Sequence, residues 1–199
     1  VVEILTGEHI AQDKIGGLIA GWAIRSEDGS EMKCPSNPPL AKDNANFVGD
    51  PIAVVFAETL DEAKAAAELV KVDYKVLKAV ISLADTMKSE AIHEGIDKNL
   101  CFDWLLGDRQ KVKEAFDKAD KIIKLDITNN RLIPNAMEPR ACVVDYNTAS
   151  EEITCYTTSQ NPHLSRLIMS AFGGVTPENK LRVIAPDVGG GFGSKINLY

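Results

Sequence analysis

The stretch from Glu152 to Lys195 constrains the fold more than any other part of the chain. It opens with "EITCYT", where Ile153, Cys155 and Thr157 share one side of an extended strand because successive side chains alternate. "SQNPHLSRLIMSAFGG" comes next. Asn161 is a good helix cap, since its side-chain oxygen can accept an amide of the first turn. Pro162 suits the first helical position, where its missing N–H is no loss. Leu164, Leu167, Ile168, Ala171 and Phe172 recur at helical spacing and predict one apolar stripe. Gly173 and Gly174 predict the helix end. "LRVIAP" is a further strand, and it runs into "DVGGGFGSK", with glycine at 189, 190, 191 and 193. Just upstream, "RACVVDYN" puts Cys142, Val144 and Tyr146 on one side of another strand, joined to the next by the turn residues of "YNTASEE".

Glycines remove side-chain bulk and permit positive φ, so backbone amides can touch a ligand directly. The known nucleotide patterns do not fit. A triphosphate loop needs Gly before the Lys and Ser or Thr after it, whereas Ser194 precedes Lys195 and Ile196 comes after it. The dinucleotide pattern fails at its last glycine, where Ser194 stands, and the loop comes after the last strand rather than opening a unit. A tight turn without a ligand and a ligand-binding loop both remain open on the residues alone. The turn carrying Ser159, Gln160 and Asn161 is expected to lie near this loop.

The first half reads differently. Ile52 to Phe56 suits a short buried strand. Thr59 stands three residues before Glu62, the spacing of a capping box. Ala63, Ala66, Ala67 and Val70 then give an apolar helix face, and a second strand is expected around Val72 to Val76. From Ser82 to Gly107 periodicity is lost, which reads as an extended connection and a domain boundary. A short helix is expected over Lys111 to Ala119, and "KIIKLDITNN" alternates like a strand. In "NRLIPNAMEPR" the two prolines, Pro134 and Pro139, exclude a regular helix. Met137 and Glu138 between them read either as functional residues or as parts of a turn that packs a loop.

Composition excludes several classes. A net charge of −7 argues against a nucleic-acid partner, which requires a basic face. No apolar run approaches the roughly 18 residues of a membrane span, and "VVEILTGEHI" lacks the basic and apolar regions of a signal peptide. It reads as a strand already under way, so a longer protein is expected. Cys34, Cys101, Cys142 and Cys155 form no C-x-x-C pair, and His9, His93 and His163 are scattered. Iron–sulfur and zinc-ribbon spacings are therefore not met, and reduced cytoplasmic thiols are the expectation.

"NRLIPNAMEPR", "YTTSQNPH" and "APDVGGGFGSK", in this order and spacing, closely resemble the large, molybdenum-binding subunit of the xanthine oxidase and aldehyde oxidase family. The likeness is nearest to the family's aerobic carbon monoxide dehydrogenase branch. "FVGDPIAVVFAETLDEAKAAAELVKVDYKVLKAV" resembles its α/β hammerhead domain. The resemblance spans nearly the whole chain. It implies an α+β fold: a partial hammerhead domain over residues 1–82, an extended connector over 83–110, and the first part of the molybdenum-cofactor-binding domain over 111–199. Carried over by position, Gly190, Gly191, Phe192 and Gly193 match the family's "GGFG" contacts at the metal. Gln160 matches the glutamine whose amide hydrogen-bonds an oxo ligand of the molybdenum. A neutral amide suits that place, because it donates without competing as an anionic ligand.

The resemblance implies no direct metal ligand and no catalytic residue in this chain, since the family's catalytic glutamate lies beyond the point matching Tyr199. It implies a molybdenum–molybdopterin cofactor in the cytosine dinucleotide form, with an iron–sulfur small subunit and an FAD medium subunit as partners. The implied reaction is hydroxylation of carbon monoxide, an aldehyde or an aromatic N-heterocycle with water-derived oxygen. By the same resemblance the chain is an internal piece of a longer protein and inactive alone. The alternative is a scaffold or interaction segment that binds no cofactor.

Overall fold

The computed structural model describes residues 1–18 and 23–196. Its strands form two small sheets. In the first, β1 (Glu3–Thr6) and β2 (Ala53–Phe56) pair antiparallel, with Glu3 opposite Phe56 and Thr6 opposite Ala53. α1 (Gly7–Gln12) continues from β1, and α2 (Leu60–Glu68) comes after β2. Ala53 and Val55 are half-buried while Val54 and Phe56 are exposed. The strand expected to be buried is thus covered on one face only, as antiparallel pairs commonly are.

The capping box forms as the sequence predicts. Thr59 Oγ1 accepts from the Glu62 N–H at 3.3 Å, and the Glu62 carboxylate accepts from the Thr59 N–H at 3.2 Å. Thr59→Ala is therefore expected to cost about 0.5–2 kcal/mol, checked by denaturant unfolding monitored at the helix band. Of the predicted apolar face, Ala63 and Ala66 are half-buried, whereas Ala67 and Val70 are exposed.

Two expected strands are not formed. Residues 70–82 up to the start of α3 (Leu83–Thr86) carry no regular structure, and Val76 is 90% exposed. "KIIKLDITNN" is likewise irregular and exposed. The reason is the same for both. A strand gains its hydrogen bonds from a neighbour, and neither described sheet pairs with these segments. In the connector, Asn99 gathers the backbone: its Nδ2 donates to Thr86 O and Glu90 O, and its Oδ1 accepts from Ile92 N–H. α4 (Arg109–Asp117) starts two residues before the expected helix, because Asp108 caps it by accepting from the Lys111 N–H at 3.0 Å.

The second sheet has the order β3 (Cys142–Asn147), β4 (Glu152–Thr157), β5 (Leu181–Ile184). β3 and β4 are antiparallel, with Cys142 opposite Thr157, Val144 opposite Cys155 and Tyr146 opposite Ile153. The two faces read from the sequence are therefore one face. Asn147 Oδ1 accepts from the Ala149 and Ser150 amides and shapes the turn between them. β5 is parallel to β4, so a crossover must join them. It is α5 (Pro162–Leu167), continued by a π-helical turn over Ile168–Phe172.

That turn alters the predicted stripe. Ser165 and Ile168 are buried, while Leu167, Ala171 and Phe172 are exposed. A π-turn takes an extra residue per turn and rotates Ala171 and Phe172 off the 3.6-residue pattern; Leu167 precedes it. The Gly173 N–H closes the turn on Ile168 O at 2.7 Å, and Gly174 takes φ +65 to end it. Gly16 donates its N–H to Gly173 O, so the amino-terminal segment docks at this helix end. Cys155, Ile168 and Leu181 are the buried apolar residues of this sheet and helix. No helix among the described residues is long and apolar enough to cross a membrane.

Candidate functional site

Gln160 stands between the end of β4 and the cap of α5. Two serines set its turn. Buried Ser159 and Ser165 share a hydroxyl hydrogen bond at 3.0 Å, and Ser159 Oγ accepts from the Asn161 N–H at 3.0 Å. Asn161 Oδ1 then accepts from the Leu164 N–H, as a cap should. With both neighbours fixed, the Gln160 side chain leaves toward the loop after β5.

Gln160 Oε1 accepts from the Gly193 N–H at 2.9 Å and from the Lys195 N–H at 3.1 Å. The Gln160 N–H donates to Lys195 O at 2.9 Å. These contacts settle which way the carboxamide faces, because only its oxygen can meet two N–H groups. Nε2 therefore points away, and no hydrogen bond among the described residues uses it. Gly191 is required by this contact: a Cβ there would lie 2.5 Å from Gln160 Cδ and Cγ.

The loop is held from its other side by the proline-bracketed turn. Glu138 Oε2 accepts from the Gly189 N–H at 2.9 Å and from Lys195 Nζ at 2.8 Å, and Lys195 Nζ also donates to Glu138 O at 2.9 Å. The Lys195 side chain is only 2% exposed. Arg140 donates to Ser194 O at 2.9 Å. A Cβ at Gly189 would lie 2.6 Å from Glu138 Cβ, so this glycine permits the close approach. The hydrogen bond from the Lys195 ammonium, and after it the Gly189 N–H, hold Glu138 below the ordinary carboxylate value. Such a carboxylate supports the fold above the ordinary glutamate pKa of about 4.3, and the support is lost as pH falls through the lowered value.

Between these clamps the loop presents backbone. Gly190 has φ +99, Phe192 +50 and Gly193 +88. No hydrogen bond among the described residues engages the amides of Gly190, Gly191 or Phe192, although Gly191 is buried. Buried amides are rarely left unpaired, and successive amides in turns of this kind form concavities for oxygen-bearing or anionic groups. A Cβ at Gly193 would meet nothing within 4 Å. Phe192 is 73% exposed. A cavity of about 390 Å³ beside Lys195 is lined by Cys142, Val144, Cys155 and Met169 among others; Gln160 and residues 189–193 do not line it.

All five residues singled out in the sequence, Gln160, Gly190, Gly191, Phe192 and Gly193, are thus brought to one place. Glu138 is part of the clamp, while Met137 is 99% exposed and makes no hydrogen bond among the described residues. Sequence reasoning names Ser159 only as part of the turn and misses the structural roles of Lys195 and Ser165. The glycine-rich context presents Lys195 only as a candidate phosphate ligand, and its one apolar neighbour, Ile196, is exposed and gives no sign of burial.

Comparison with known proteins identifies the chain. Residues 92–199 match the molybdopterin cofactor-binding domain, and residues 1–78 match the a/b hammerhead domain of aldehyde oxidase and xanthine dehydrogenase. The chain belongs to the molybdopterin-binding aldehyde oxidase and xanthine dehydrogenase family. It is 31% identical over 198 residues to the carbon monoxide dehydrogenase large chain of Hydrogenophaga pseudoflava, covering 88% of this chain and 24% of that one. It is 34% identical over 174 residues to the corresponding large chain of Afipia carboxidovorans, covering 80% and 21%. A crystal structure of Cu,Mo-CO dehydrogenase in its carbon monoxide reduced state matches with a TM-score of 0.84 and 27% identity, over 100% of this chain and 25% of that one. The chain thus spans about a quarter of the length of these relatives. The α+β architecture expected from the resemblance, hammerhead followed by the start of the cofactor-binding domain, is the one found.

Proposed function

We propose that this chain is the part of a molybdenum hydroxylase large subunit that presents hydrogen-bond donors to the cofactor. The observation that carries the reading is the fixed polarity of Gln160: its oxygen is occupied by two loop amides, and its Nε2 is turned outward. Beside it lie three unengaged amides, at Gly190, Gly191 and Phe192. This donor set fits a cofactor whose metal centre carries oxygen ligands. The bound cofactor would supply two-electron oxidation, by which oxygen from water is added to a small electrophilic substrate. The residues of this chain bind and orient: Gln160 donates to an acceptor on the cofactor, the loop amides line its cradle, and Phe192 covers one side. In this reading no residue of the chain takes a proton from a substrate.

The proposed cofactor is the cytosine dinucleotide form of molybdopterin, and the proposed substrates are carbon monoxide, an aldehyde or an N-heterocycle. The similarity to two carbon monoxide dehydrogenase large chains supports the first substrate. A large chain of this kind would pass electrons to an iron–sulfur subunit and an FAD subunit. The proposed setting is the cytoplasm. We place the domain limits at 1–82, 83–110 and 111–199; the two sheets, within residues 3–56 and 142–184, support a division between them but not these exact limits. The reading as a cofactor-free scaffold gives the unengaged amides of Gly190, Gly191 and Phe192 no acceptor.

The test is metal and pterin analysis of the full-length subunit in its complex. Stoichiometric molybdenum with a pterin dinucleotide is expected. A bound adenine nucleotide without molybdenum would overturn the proposal.

A further inference from the structure

Lys195 occupies the place where a glycine-rich loop would offer a lysine to a phosphate, yet its ammonium is not available to any ligand. Both hydrogen bonds of Nζ go to Glu138, one to the carboxylate and one to the backbone carbonyl, and the side chain is 2% exposed. Its backbone, meanwhile, meets Gln160 twice: the Lys195 N–H donates to Gln160 Oε1, and Lys195 O accepts the Gln160 N–H. Lys195 therefore joins three segments, the proline-bracketed turn, the loop and the turn before α5.

The chemistry of a carboxamide makes this junction matter. Its oxygen and nitrogen are nearly equal in size, so rotation by half a turn costs little space and exchanges donor for acceptor. Only the two N–H groups that face Oε1 forbid it here, since a rotated amide would aim N–H against N–H. One of these belongs to Gly193, which has φ +88 and no side chain to anchor it. The other belongs to Lys195, whose position is fixed by its buried bond to Glu138. Because Glu138 Oε2 also takes the Gly189 N–H, the same carboxylate holds both ends of the loop.

We propose that Lys195 is a positioning residue for the cofactor, acting through Gln160: its burial against Glu138 keeps the donor side of the Gln160 amide turned outward. This role rests on the proposed cofactor-binding function.

The experiment uses the full-length subunit, with Lys195→Met, Glu138→Gln and Gln160→Ala singly, and the first also combined with the third. Hydrogen exchange of the peptide spanning 189–196 is followed by mass spectrometry in cofactor-free protein, and molybdenum and pterin content is measured after loading. Lys195→Met is expected to speed exchange at Gly193 and Lys195 by about tenfold or more and to lower cofactor retention by a similar factor. Glu138→Gln, which keeps the shape and loses the charge, is expected to shift both in the same direction by less. In the Gln160→Ala background, Lys195→Met is expected to lower retention by less than about twofold further, because residues acting through one another do not add. A merely structural lysine would lower retention equally in both backgrounds, and that result overturns the proposal. Unchanged exchange in both Lys195→Met and Glu138→Gln overturns it as well. Should the wild-type subunit hold no molybdenum, the cofactor-binding function fails and the positioning role with it. Faster exchange in Lys195→Met would then show only the loop clamp, so the two failures read differently.

Discussion

Gly191→Ala is expected to strip the full-length subunit of most of its molybdenum, lowering the metal bound after purification by about tenfold or more. The added methyl carbon would sit 2.5 Å from both Cδ and Cγ of Gln160, well inside van der Waals contact. Neither neighbour can yield cheaply. Gln160 is held by two amides at its oxygen and by its own N–H on Lys195, and Ser159 fixes the turn behind it. Either the side chain swings out or the loop lifts, and in both cases Nε2 and the three unengaged amides no longer share one cradle. The expected loss comes from pre-organisation, since a binding group displaced by an ångström forfeits most of its worth. Gly191 has no positive φ among the backbone angles of the loop, so the change tests the contact rather than backbone strain. Gly193→Ala is the natural comparison. It meets open space but carries φ +88, a strain of roughly 1–2 kcal/mol. Metal analysis of the two proteins checks the expectation, and a fully loaded Gly191→Ala subunit contradicts the site as described.

The parts of the fold legible in the sequence are those specified by neighbours along the chain. Thr59 and Glu62, Asn161 and Pro162, and the alternation in "RACVVDYN" and "EEITCYT" act over three to six residues, and each forms as read. The expectations that failed needed a partner or a register. Val72 to Val76 and "KIIKLDITNN" have strand composition, but β pairing is settled by the neighbour, and none among the described residues accepts them. The stripe through Leu167, Ala171 and Phe172 requires an uninterrupted helix, and nothing in the residue types announces a π-turn. At the site, glycine spacing points to close backbone approach, and the approaches that form are of Glu138 to Gly189 and of Gln160 to Gly191. The clamp is invisible in the sequence because it joins Glu138 to Lys195 across 57 positions, and a lysine reads as a surface residue until its partner is known.

Gln160 offers the sharpest separation of two roles within one side chain. Its oxygen holds the loop, and its nitrogen faces the cradle. Gln160→Glu preserves the first role, because a carboxylate accepts from the Gly193 and Lys195 amides at least as well as a carboxamide does. It abolishes the second, because an ionised carboxylate donates nothing and sets a negative charge where the proposed cofactor acceptor would sit. Gln160→Ala removes both. The two variants should therefore diverge in the cofactor-free subunit and converge in the loaded one. In hydrogen exchange over residues 189–196, Gln160→Glu should match the wild type, while Gln160→Ala should exchange faster. In turnover, both should fall. A hydrogen bond to a charged group is worth roughly 1.5–3 kcal/mol, which corresponds to a rate loss of about one to two orders of magnitude if the bond strengthens in the transition state. Gln160→Glu should lose at least as much as Gln160→Ala, since repulsion adds to the missing donor. Turnover per bound molybdenum is the quantity to compare, so that poorer loading is not mistaken for slower chemistry. A Gln160→Glu subunit that loads and turns over like the wild type would show that the outward nitrogen has no acceptor to serve.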